Sequence, residues 1–212
     1  MGGKTSVGDG RKERKAERLV ELSALKTKHK AQDRRSKFWI YGVSVVLILA
    51  LIGSVSSVLL MENNNENQLT ETAKKPIDGV QSFDGLSQTH TSTPLTFSET
   101  PPTGGDHAPT WIKCGIYTSP ISTSEAVHSL EHGAVWIAYR PDLPAEQIEA
   151  LSNTVRSNAY QLLSPYLGLS SPVVASAWGK QLKLESAQDP RLAIFLKAYT
   201  QGPQTPEPGA PC

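Results

Sequence analysis

Residues 38–61, FWIYGVSVVLILALIGSVSSVLLM, form a run of 24 residues without a single charge. About 20 apolar residues at 1.5 Å rise span the hydrocarbon core of a bilayer. In lipid the backbone must satisfy its own hydrogen bonds, so the run is expected to be one transmembrane helix. A cleaved signal peptide is the rival reading. Its apolar core is about 7–15 residues and is followed by a small-residue cleavage site. This run is longer, and no such site follows it.

Charge assigns a direction to the span. Residues 1–37 hold twelve Lys/Arg and five Asp/Glu, whereas residues 62–212 hold nine and fifteen. Arg34, Arg35 and Lys37 abut the apolar run on one side, and Glu62 with three Asn follows it on the other. Cations stay on the cytoplasmic side, so the expectation is a cell-membrane protein with its N-terminus in the cytoplasm and its C-terminal domain outside. Charge split across an apolar run reads as topology and not as nucleic-acid binding. The expected parts are a basic tail (1–37), the span (38–61), a polar linker (62–76) and a folded domain (77–212). The tail segment 11–32 carries Leu19, Leu22 and Leu25 at helical spacing and reads as a solvated or lipid-surface helix. Within the span, Ala50 with Ser54 and Gly53 with Ser57 make small-residue pairs four apart. Such a face could admit a second membrane helix closely, which makes a membrane-protein partner the expectation beside the lipid bilayer itself.

The outer portion alternates loop chemistry with periodic segments. Residues 85–110 are rich in Gly, Pro, Ser and Thr, ending in PPTGGDHAPT. WIKCGIY predicts a short strand. TSEAVHSLEHG predicts a short helix capped near Ser122–Ser124 and stopped by Gly133. AVWIAYR predicts a strand ended by Pro141. PAEQIEALSNTVRSNAYQLL predicts a long helix with Ile148, Leu151, Val155, Ala159 and Leu162 on one stripe. SPVVASAWGKQLKLE predicts two strands turning at Gly179-Lys180, and DPRLAIFLKAYT a last helix capped by Asp189 with Pro190 at its first position. Strands and helices mix without strict alternation, so the class is α+β: a small mixed sheet with flanking helices, preceded by one transmembrane helix.

Two cysteines, Cys114 and Cys212, lie in the outer portion. A disulfide between them would close a loop of about 100 residues and restrain the Pro-rich tail. A Cys114 thiolate serving as ligand or nucleophile is the alternative. Four histidines share that portion: His90, His107, His128 and His132. His128 and His132 are four apart in H-S-L-E-H, and such residues share a helix face. With His107 from the Gly-rich loop they make a candidate metal set, and Glu131 is a candidate supporting carboxylate. Imidazole ligands suit Zn or Cu(II). Met1 and Met61, the only methionines, lie far from this set in sequence, so no thioether is offered to Cu(I). The same string matches the H-x-x-E-H protease motif with Glu131 as base, but Gly133 stops the helix at once. A structural role remains open beside these: His132 at a helix C-terminus, and Trp111, Trp136 and Trp178 as core.

PPTGGDHAPTWIKCGIY, AVHSLEHGAVWIAYRPDLP, ASAWGKQL and the terminal EPGAPC resemble the bacterial domain-of-unknown-function family three-one-zero-five over about residues 76–212. The resemblance implies single-pass membrane proteins with this domain outside. It also places a His before the Pro-Pro loop, matched here by His90, and often a Tyr where this chain has Phe97. It implies no reaction. Two functions follow as expectations: an outer domain that binds a metal or small ligand through histidines, or a non-catalytic accessory subunit of a membrane complex.

Overall fold

The computed structural model of the chain describes residues 9–212, so the first eight residues of the expected tail lie outside the described residues. Two compact units emerge, Met1–Asn63 and Asn64–Cys212. α1 (Asp9–Ala73) begins in the first. It is the one helix among the described residues long and apolar enough to cross a membrane. Its apolar side chains from Tyr41 through Leu49 to Met61 are exposed. The hydroxyls of Ser54 and Ser57 donate to the Leu51 and Gly53 carbonyls of their own helix.

Residues 62–76 were expected as linker, yet they are helical as far as Ala73. Extending an existing helix adds one hydrogen bond per residue fixed, without the cost of a new nucleus. Thr70 and Thr72 also bond back to the Glu66 and Gln68 carbonyls. Pro76 disfavours helical geometry at the residue before it, which is consistent with the stop.

The second unit is a six-stranded mixed sheet in the order β1-β6-β5-β3-β4-β2. Its elements in chain order are β1 (Val80–Ser82), β2 (Gly115–Ile116), α2 (Thr123–Glu131), β3 (Val135–Tyr139), α3 (Ala145–Arg156), β4 (Gln161–Pro165), β5 (Val173–Ala177), β6 (Lys180–Leu184) and α4 (Pro190–Tyr199). β4 runs parallel to both β2 and β3, whereas β3–β5, β5–β6 and β6–β1 are antiparallel. The α+β reading therefore holds.

Alternation along β3 explains its unbroken apolar sequence. Val135, Ile137 and Tyr139 pack with Leu151, Val155, Leu192 and Phe195 from α3 and α4. Trp136 and Ala138 face the opposite way, toward Ala126, Val127 and Leu130 of α2. A strand covered on both faces needs no polar positions. The loops of residues 86–114 lie on the α2 side, where Leu86, Phe97 and Ile112 join that cluster.

The long helix expected over 144–163 is shorter. α3 ends at Arg156, Tyr160 turns into left-handed backbone at φ 57°, and residues 161–165 form β4. Leu162 and Leu163 are both fully buried, on opposite faces of the sheet. Ala159 and Leu162 thus fit a helical stripe only by coincidence of spacing.

Candidate metal centre

Three segments converge on the α2 side of the sheet. The first is the arm around His90, which pairs with the second, the loop that carries His107. Thr91 N–H donates to the His107 carbonyl at 2.8 Å, and His107 N–H donates to the Thr89 carbonyl at 3.0 Å. The two histidines are therefore fixed side by side through their backbones. Gly104 leads into that loop with φ 155°, and a Cβ there would stand 2.7 Å from Leu86 Cδ1 and 3.2 Å from the Trp178 ring. Only glycine lets the loop lie so close to the core.

The third segment is α2. Ser122 caps it, accepting from the Glu125 N–H. His128 and Glu131, three apart, project on one face. The helix ends at His132, and Gly133 follows at φ 92°. Ser129 Oγ bonds both the N–H and the carbonyl of Ile112, which docks the 110–114 segment onto the helix.

His90, His107, His128 and Glu131 each offer one donor atom, and these four atoms lie within 4.8 Å of one another. The ring centroids of His90, His107 and His128 are 4.7–4.9 Å apart. His107 Nε2 stands 3.0 Å from Glu131 Oε2, and His90 Nε2 stands 3.2 Å from the same oxygen. The His107 and Glu131 side chains are 0% and 1% exposed, whereas that of His90 is 42% exposed, so the cluster opens to solvent at His90.

Hydrogen bonds assign the ring protons. His107 Nδ1 lies 2.7 Å from the Gly105 carbonyl, and His128 Nδ1 lies 2.7 Å from the Ala108 carbonyl. Carbonyls only accept, so both Nδ1 atoms carry the proton. Neutral rings then present lone pairs at Nε2. Burial holds His128 below the usual imidazole range, against the opposing hydrogen bond to Ala108, and the neighbouring histidines add to the lowering. Its lone pair is thus available at neutral pH. Backbone carbonyls that fix the tautomer of a ligand histidine are a regular feature of metal sites.

The expected set is partly rearranged. His107 and His128 come together as anticipated, and Glu131 enters the cluster directly. His132 does not belong to it. Its ring lies edge-on to His128 at 4.6 Å. Its Nδ1 donates to the Pro211 carbonyl, and its Nε2 faces Glu207 at 3.6 Å. His90 takes the third imidazole place. The protease arrangement fares poorly, because Glu131 Oε2 is already shared by two histidines and His132 is bound to the tail. Trp136 and Trp178 are buried, but Trp111 is 44% exposed and lies 5.3 Å from the His132 ring. Cys114 is bonded to Cys212, so no thiolate stands near the cluster among the described residues.

The fold and the cluster define a mixed α+β domain that gathers three imidazoles and one carboxylate under a Gly-rich loop. The chain belongs to the family described as Protein of unknown function (DUF3105), which matches residues 88–212 and so includes every member of the cluster. Neither a curated protein nor a solved structure matches the chain.

Proposed function

We propose that this protein is a membrane-anchored, extracytoplasmic domain that holds a divalent transition metal, zinc or copper(II), through His90, His107, His128 and Glu131. The observation that carries the reading is the contact between His107 Nε2 and Glu131 Oε2. With Nδ1 committed to Gly105, a neutral His107 turns a lone pair onto a buried carboxylate oxygen. Either a proton or a cation must lie between them. A proton bridges only one of the two imidazole nitrogens that face this oxygen. A metal ion satisfies His107, His90 and Glu131 together. Metal–nitrogen bonds of about 2.0–2.1 Å put tetrahedral ligand atoms about 3.3 Å apart, close to the two observed contacts.

Four protein ligands suit holding a metal more than hydrolysis, which keeps one position for water. Imidazole and carboxylate match Zn(II) and Cu(II) better than Cu(I). The exposed His90 is the natural ligand to open during exchange. The disulfide and the charge split around α1 support placing the domain outside the cell.

Purified in detergent without a His-tag and loaded with zinc, the full chain is expected to retain about one equivalent. Less than about a tenth of an equivalent of zinc or copper after loading would remove the proposal. On intact cells, a membrane-impermeant maleimide should label Cys114 and Cys212 only after an impermeant reductant. Labelling that requires permeabilised cells would invert the topology.

A further inference from the structure

The Cys114–Cys212 disulfide does more than close the chain. Residues 200–212 form a strap without helix or strand, and its hydrogen bonds fall on the end of α2. Gln201 N–H donates to the Gly133 carbonyl at 2.9 Å, and Glu207 N–H donates to the Glu131 carbonyl at 3.0 Å. The Gln201 side-chain amide donates to the His132 carbonyl. Pro211, next to the cysteine, accepts from His132 Nδ1, and Ala210 accepts from the Tyr160 hydroxyl at 3.1 Å. On the other side of the bond, Cys114 follows Ile112, which is held by Ser129 of α2. Both ends of the disulfide therefore bear on the turn that supplies His128 and Glu131.

The bond is also reachable. Both cysteines are partly exposed and border an open cleft of about 400 Å³, with Asn158, Tyr160 and Gln161 on its walls. That cleft has room for the thiol of an exchanging partner.

We propose that Cys114–Cys212 is a thiol–disulfide exchange site whose reduction unlatches the strap and weakens the metal cluster. The proposal rests on the metal reading above. A dithiol partner attacks one sulfur as a thiolate, forming a mixed disulfide and expelling the other sulfur. Its second thiol then resolves the mixed disulfide. Two electrons and two protons reach the chain, giving the thiols of Cys114 and Cys212, and the partner leaves as a disulfide. The strap end then hangs on single hydrogen bonds and frays, as untethered termini do. His132 loses Pro211, its ring is free to turn against His128, and Glu131 loses the Glu207 contact on its backbone. His132 is thus a positioning residue for the cluster. Losing groups that orient metal ligands lowers metal affinity about 10–100-fold, and that is the expected effect of reduction.

The test uses the full chain in detergent and zinc alone as probe. A phosphine reductant opens the disulfide, and alkylation removes the new thiols as competing ligands. Zinc affinity is read against a chromophoric chelator while far-UV circular dichroism follows the fold. A reduced, folded protein that binds zinc at least tenfold more weakly supports the proposal. Equal affinity in the two folded forms overturns it and leaves the metal site standing, whereas no zinc in either form overturns the metal reading itself. Should reduction unfold the domain, His132→Gln with the disulfide intact decides. Unchanged affinity in that folded variant refutes the coupling, and a tenfold loss supports it.

Discussion

His107→Ala will weaken zinc binding by more than about 100-fold while leaving the fold intact, a larger loss than the 10–100-fold typical of groups that only orient ligands. His107 is the fully buried imidazole of the cluster, and its Nδ1 proton is fixed by Gly105. Removing the ring deletes a donor that no neighbour can replace, because His132 is engaged by Pro211 and Glu207. The two backbone bonds between the His90 arm and residue 107 survive the change, since they use N–H and carbonyl groups that alanine retains. Zinc titration monitored beside circular dichroism checks the result. Near-normal affinity in a folded His107→Ala protein would place the metal elsewhere.

Cys114→Ser/Cys212→Ser will lower the stability of the metal-free domain by about 2–5 kcal/mol, the usual cost of removing a native disulfide. The bond joins residues 98 apart. Opening it restores conformational freedom to nearly the whole sheet-bearing segment in the unfolded state. In the native state only the strap end frays, giving up its bonds to Glu131, His132 and Tyr160 while Gln201 stays on Gly133, so most of the effect still arises in the unfolded ensemble. Domain stability is typically about 5–15 kcal/mol, so the variant is expected to fold with a clearly lower urea midpoint. A midpoint within error of the parent would show that the bond contributes nothing to stability.

Much of the architecture was legible in the sequence. Ser122, Gly133, Asp189 and Pro190 mark helix ends by local chemistry, and the structure uses them in those roles. The β5–β6 turn at Gly179 is similarly local, since φ is 64° there and a Cβ would stand 2.8 Å from the Phe83 carbonyl oxygen. Segment 157–165 failed because a strand buried on both faces carries no period-two signal. Its apolar residues then fall on the preceding helical stripe. The extension of α1 to Ala73 failed for a different reason: propagation from an existing helix tolerates polar residues of modest propensity.

The cluster was half legible. His128 follows from helical spacing and His107 from its Gly-rich loop, whereas Glu131, expected only as a supporting carboxylate, offers one of the four donor atoms itself. His90 lies 41 residues from Glu131 across an aperiodic stretch, and no spacing rule connects them. The resemblance to the family's His before the Pro-Pro loop was the one signal that singled it out. His132 satisfied the i, i+4 rule, but its nitrogens were claimed by a strap 79 residues away. Spacing shows which residues share a face and says nothing of which long-range acceptor reaches them first.

Zinc K-edge X-ray absorption on the full chain carrying one equivalent of zinc tests the central claim most directly. The account predicts nitrogen and oxygen ligands at about 2.0–2.1 Å with outer-shell scattering from about three imidazoles, and no sulfur at about 2.3 Å. A sulfur shell, or light-atom ligands without imidazole scattering, would contradict it.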